Sequence, residues 1–282
     1  MTVSFDRAAT LRQAEKLLRQ GKLEPAIEAY RSLVEEQPRD WTIVNQYGDA
    51  LARAGRLADA VSQYTRIAEA FAADGFVSKA AAVYKKILKL APGHLIAAWQ
   101  AGEMAAAQGL LADARACFGS VAEQCRHAAD AAGAARALVR LGELDPADTA
   151  ARLVGARARL DLSDVAGARS DLSRLAQERL DEGREAEAAE ALQLLLAIDP
   201  DDVQVRAAMA RTLIRQEDLV TARPYLAPEV LEQAPDLALP AAEAHLRAGD
   251  QVAAAIVLDR LVYGGGPGTR AAHQCTAGLA RH

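Results

Sequence analysis

The chain lacks the residues that build a thick globular core. Among its 282 residues are four Phe, six Tyr and two Trp, and aromatics make up 4%. That scarcity points to thin layers of small side chains between helices. Cysteine is equally sparse, and Cys117, Cys125 and Cys275 give no disulfide framework. Cys117 and Cys125 stand eight positions apart on one expected helix, about 12 Å along its axis and too far to bridge. Unpaired thiols fit a cytoplasmic protein. No apolar run reaches the roughly 18 residues of a membrane span. The N-terminus, Met1-Thr2-Val3-Ser4-Phe5-Asp6-Arg7, has no apolar signal segment.

An excess of positive charge is missing too. The net charge is −5 and the pI about 5.6, which argues against nucleic acid as a partner, because its binders usually carry a basic patch. Charge is uneven along the chain: positions 51–100 hold seven Lys/Arg against three Asp/Glu, and 201–250 hold five against nine. The turn bearing Lys79, Lys85, Lys86 and Lys89 reads either as a solvated face or as a patch for an acidic partner.

A catalytic constellation is absent as well. His94, His127, His245, His273 and His282 do not fall at metal-ligand spacing. His273, Cys275 and His282 cluster in a glycine-rich tail that is expected to be disordered. Gly264–Thr269 lacks the Gly-Lys-Ser/Thr ending of a phosphate loop. Glu185, Glu187 and Glu190 open a helix and complement its dipole. No nucleophile–base pair stands out, so the expectation is a non-enzyme with no cofactor and no metal.

What is present is a repeat. Pro38, Pro92, Pro146 and Pro200 recur at a step of fifty-four positions, as do Gly48, Gly102, Ala156 and Ala210. Ala26, Ala80, Ala134 and Ala188 keep that step, and so do Ala60, Ala114, Ala168 and Ala222. A fixed period of this length marks a stacked array. Within one unit, apolar residues at helical spacing run from Ile43 to Leu51, from Leu57 to Phe71 and from Phe76 to Leu90. Gly55, Asp74-Gly75 and Pro92-Gly93 end these stretches. Each unit is therefore three helices. Further along, Gly109 and Ser163 answer Gly55, and Ala129 and Gly183 answer Gly75. Tyr30, Tyr64, Tyr84 and Phe118 each follow a repeat alanine by four positions and share its face. Leu138, Leu172, Leu192 and Leu226 take that place later.

The units are expected at about 6–40, 41–94, 95–148, 149–202 and 203–262, with 263–282 as a flexible tail. The fourth copy degrades: Glu217 replaces the turn glycine, and Pro224 and Pro228 interrupt its second helix. The fold class is an all-α, right-handed α-solenoid of about fifteen antiparallel helices.

The landmarks Ala14, Gly21, Ala26, Tyr30 and Pro38, then Tyr47-Gly48, Leu51, Gly55, Ala60 and Tyr64, then Gly75, Ala80, Tyr84 and Pro92 resemble the tetratricopeptide repeat family. Gly55 and Gly75 lie twenty positions apart, where the family's turns are farther apart, so one helix serves two repeats. The resemblance implies a scaffold that binds a protein or peptide on the inner face of first helices. That face maps to Asn45, Asp49, Arg53, Glu69, Trp99, Glu103, Glu123, Arg157, Arg211 and Arg215, with Trp99 either an anchor or a packing residue. Leu11 and Glu15 stand where the family's chaperone-tail clamp needs Lys and Asn. The competing reading is a structural subunit of a larger bacterial assembly, such as a secretion or motility machine.

Overall fold

Many of the helix ends are set by single residues in the left-handed region. Gly55 and Gly75 sit at φ 76°, each in a Schellman turn: at the first, the Gly55 N–H donates to Ala52 O and the Arg56 N–H to Leu51 O, at 3.1 and 2.9 Å. The same turn recurs at alternating steps of thirty-four and twenty positions from Gly21 to Glu217, and three of its later occupants are not glycine. Ala129, Ser163 and Glu217 take φ of 57°, 61° and 62°, at a cost of about 1–2 kcal/mol each. The equivalence of Ala129 and Ser163 with the turn glycines, expected from position alone, holds in backbone geometry, and Glu217, read from the sequence as a degraded turn, keeps the same left-handed turn.

In this computed structural model residues 6–263 are described, with side chains through Arg260. Sixteen α-helices and no strand occur among the described residues. The expected tail lies outside them except for Tyr263, which ends the last helix. His273, Cys275 and His282 also lie outside.

The chain divides after Pro146 into two compact units. The first holds α1 (Arg7–Arg19), α2 (Leu23–Glu36), α3 (Trp41–Arg53), α4 (Leu57–Ala73), α5 (Val77–Leu90), α6 (Leu95–Ala107), α7 (Leu111–His127) and α8 (Ala131–Gly142). Each helix packs on the next. Polar links also join helices two apart. Glu24 of α2 meets Arg56 at the start of α4 at 3.7 Å, Asp49 of α3 meets Lys86 of α5, Lys85 of α5 meets Asp113 of α7 at 3.0 Å, and Glu103 of α6 meets Arg140 of α8 at 2.8 Å. Odd-numbered helices thus form one layer and even-numbered helices the other. Tyr30, Tyr64, Ile67, Tyr84 and Ile87 are buried between them.

Close approach explains the small residues. A Cβ on Gly48 would stand 2.6 Å from the Tyr64 ring, and one on Gly102 2.9 Å from the Phe118 ring. Ala60 and Ala114 are fully buried at the same crossings.

The second unit holds α9 (Thr149–Asp161), α10 (Val165–Asp181), α11 (Glu185–Ile198), α12 (Val203–Arg215), α13 (Leu219–Ala222), α14 (Pro228–Gln233), α15 (Ala238–Arg247) and α16 (Gln251–Tyr263). Pro224 and Pro228 break its fourth-copy second helix into α13, a 3-10 turn at Arg223–Tyr225 and α14, because proline donates no N–H. Leu172, Leu175, Leu192, Leu195 and Met209 form its core.

Candidate partner-binding face

The site begins with helix starts that the repeat holds in register. Asp40, His94, Asp148 and Asp202 cap α3, α6, α9 and α12, each side chain accepting from backbone N–H groups two or three positions on. They keep the fifty-four-position step of the prolines. The caps start α3 and α6 at the same point of the repeat, which puts Asp49 and Glu103 at equivalent places.

Across the odd-helix layer, Lys86 of α5 donates to Asp49 and, at 2.8 Å, to Asn45 Oδ1 of α3. Its ammonium lies 4.1 Å from the centroid of the Tyr64 ring. The Tyr64 hydroxyl donates to Asp49 Oδ1 at 2.5 Å. Burial, then this bond and the Asp49 charge, push the Tyr64 phenol far above its ordinary range, while Arg53 pulls the other way. One period further on, Arg140 of α8 donates to both carboxylate oxygens of Glu103 at 2.8 and 2.9 Å, above Phe118. Acid, cation and aromatic ring recur as a set.

Beside the first set lie two adjoining cavities. One, of about 340 Å³, is lined by Glu15, Arg19, Tyr30, Gln46, Asp49 and Arg53. The other, of about 450 Å³, is lined by Asp49, Ala52, Arg53, Tyr64, Lys86 and Lys89. Arg53 belongs to both and lowers the pKa of both Tyr30 and Tyr64 against their burial. With Asp49 held by Lys86 and Tyr64, Arg53 and Lys89 have no ion-pair or hydrogen-bond partner among the described residues. Gln46 Oε1 is buried with no hydrogen-bond partner.

The residues expected on one inner face are separated by the layers. Asn45, Asp49 and Arg53 lie on α3 and Glu123 on α7, in the odd layer. Glu69 lies on α4, and Trp99 and Glu103 on α6, in the even layer. Glu69 is exposed, and Glu123 pairs with Arg126 at 2.5 Å. Trp99 stacks edge-on to Phe118, with ring centroids 5.2 Å apart. In the second unit Arg157 and Arg215 are exposed, and Arg211 makes two 2.8 Å bonds to Asp236. The four lysines do not form one patch: Lys79 lies over Phe71 and Phe76, Lys85 pairs with Asp113, Lys86 turns to Asp49 and Lys89 stays free among the described residues. Gln46 and Arg19 are not among the residues expected at the site. Gln46 follows Asn45 directly, and Arg19 stands thirty-four positions before Arg53, which is the signal that marks it.

Among the described residues no group of His, Cys, Asp and Glu could hold a metal ion, and no helix is long and apolar enough to cross a membrane. Cys117 and Cys125 are free thiols, and burial raises the pKa of both.

Fold and face together define an all-helical repeat protein. The tetratricopeptide repeat family model matches residues 11–75 and 65–126, within the first unit. Similar solved structures include the P58(IPK) TPR domain, at 16% identity over 98% of this chain and 100% of that one, with a TM-score of 0.30. A tetratricopeptide repeat protein from Parabacteroides merdae is 15% identical over 95% and 96%, with a TM-score of 0.26. Pseudomonas aeruginosa pilF is 16% identical over 94% and 95%, with a TM-score of 0.28. No curated protein matches the chain.

Proposed function

We propose that the chain is a non-enzymatic interaction scaffold of the bacterial cytoplasm, and that its first unit binds an acidic peptide segment in the groove between α1, α3 and α5. One observation carries this reading: Asp49 is consumed by Lys86 and Tyr64, which leaves Arg53 and Lys89 as cations in one cavity with no partner among the described residues. A carboxylate of the peptide pairs with these two, and Gln46 Oε1 accepts from a peptide N–H next door. The residues that hold the groove open repeat with the period of the array, but the cations do not: Ala107 and Glu143 replace Arg53 and Lys89. The cationic cavity is thus particular to one copy of a repeated frame. Charge-assisted bonds of this kind give specificity more than raw affinity. Of the expected residues, Asn45, Asp49 and Arg53 belong to this groove. Glu123, Arg157, Arg211 and Arg215 stay as further candidate contacts elsewhere on the chain.

The test is an array of Glu/Asp-rich peptides probed with the parent, Arg53→Glu and Lys89→Glu. Both positions line the cavity without holding the fold. Binding by the parent that drops at least tenfold in each variant supports the reading. Equal binding by all three proteins contradicts it.

The assembly-subunit reading has its own observation, in the second unit. An apolar cavity of about 600 Å³ is lined by Leu226, Leu231, Ala238, Ile256 and Val257, and Val252 and Ile256 are largely exposed. Exposed apolar surface of this kind favours a permanent neighbour. Sedimentation of the full chain beside Ile256→Glu separates the two readings, since only an assembly contact there shifts the association state.

A further inference from the structure

The period contains three helices, an odd number, in a two-layer array. Successive copies of the frame therefore open on opposite layers. Asp49 and Lys86 span α3 and α5 on the odd side, and Glu103 and Arg140 span α6 and α8 on the even side.

Every lining position of the even-side copy differs from its counterpart in the first, and Phe71 and Ala82 become Cys125 and Arg136. Thr42, Asn45 and Lys79 become Ile96, Trp99 and Gly133. In the first copy the Lys79 ammonium lies 4.6 Å from the Phe76 ring centroid and 5.5 Å from that of Phe71. In the second copy Gly133 sends no side chain across, and the floor made by Val121 and Cys125 stays open. The result is an apolar cavity of about 330 Å³ between α6 and α8, walled by Ile96 and Trp99. Ile96 is 63% exposed, so the outer wall is apolar and open to a partner. Arg136 also lines the cavity; it is exposed and has no ion-pair or hydrogen-bond partner among the described residues.

We infer that this groove takes one bulky apolar side chain, Leu or Phe, from a second protein segment that carries a carboxylate beside it. The apolar side chain fills the space over Val121 and Cys125 against Trp99, and the carboxylate pairs with Arg136. Aromatic anchors in such pockets concentrate binding energy. The site opens on the layer opposite to the Arg53–Lys89 cavity, so the first unit holds two segments at once. The inference rests on the chain being a protein-binding scaffold but not on the acidic-peptide site itself.

The experiment uses the full chain with Trp41→Phe, which leaves Trp99 as the sole tryptophan. The probes are capped hexapeptides with Phe, Leu or Ala at the centre and Glu or Gln on both flanks. The expected result is a saturable shift of Trp99 emission with Phe and Leu centres and none with Ala. Ile96→Glu weakens binding at least tenfold. Arg136→Glu weakens the Glu-flanked peptides and spares the Gln-flanked ones, and Arg53→Glu leaves the Trp99 response to the Gln-flanked peptides unchanged. No saturable shift with any peptide, or an affinity indifferent to Ile96→Glu, overturns the inference. Loss of the Trp99 shift for the Gln-flanked peptides with Arg53→Glu also overturns it. Failure of the Arg53–Lys89 site in its own test leaves these outcomes readable.

Discussion

Arg140 grips Glu103 through two hydrogen bonds of 2.8 and 2.9 Å, and it stands one full period after Lys86, which grips Asp49. Both cations lie near the face of a buried ring, Phe118 and Tyr64. The pairs clamp helices two apart that otherwise hardly touch. Both are partly exposed, so each is worth about 0.5–1.5 kcal/mol. A double-mutant cycle on Glu103→Gln and Arg140→Met, followed by urea unfolding, should return a coupling in that range. A coupling of zero would reduce the pair to surface decoration.

The α3–α4 and α6–α7 crossings have no room for another carbon. Gly48→Ala and Gly102→Ala drive a methyl into Tyr64 and Phe118, and each should cost about 1–3 kcal/mol. Ala60→Leu and Ala114→Leu overpack the same crossings and should fall in the same range. Thermal melts that match the parent would reject the packing.

The three strained turns offer the opposite effect. At Ala129, Ser163 and Glu217 the backbone is already left-handed, and glycine removes the Cβ clash there. Each change to glycine should stabilise the unit that carries it by about 1 kcal/mol, less the extra chain entropy glycine brings to the unfolded state. Urea midpoints measure this directly.

Acid should weaken the second unit through identifiable carboxylates. The Arg152 guanidinium holds Glu178 below its ordinary range, the Thr149 hydroxyl and Arg184 hold Glu187 there, and Arg211 does so for Asp236. A carboxylate with a lowered folded pKa stabilises the fold above its unfolded pKa, and that contribution fades as pH falls through the folded value. The melting temperature should therefore fall between about pH 5 and pH 3. Glu178→Gln should melt lower than the parent near neutrality and lose less on acidification.

The array is readable in the sequence because glycine, alanine and proline recur at places fixed by backbone geometry and close approach. The turns at Gly55, Gly75 and Gly109, and the broken helix at Pro224 and Pro228, follow from single residues whose conformational limits are local. The binding face is less readable. Asn45 and Trp99 occupy equivalent positions in consecutive units, which invites one shared face, yet an odd number of helices per unit sends them to opposite layers. Nor does sequence spacing alone show that Lys86, far along the chain from Asp49, neutralises it. That pairing depends on α3 and α5 standing side by side above α4. The N-cap series Asp40, His94, Asp148 and Asp202 runs at the same period as the prolines. It marks the helix starts more sharply than they do, since a cap places a named N–H on a named oxygen.

An acidic segment seated against Arg53 and Lys89 would lie within reach of Ala52, in the wall of the same cavity. A photo-crosslinking residue at Ala52 tests this against the same residue at Ala106, its counterpart one period on. With a Glu-rich peptide as probe, crosslinking is expected from position 52, lost with Lys89→Glu, and little from position 106. Equal crosslinking from both positions, or crosslinking at 52 that survives Lys89→Glu, would contradict the acidic-segment site.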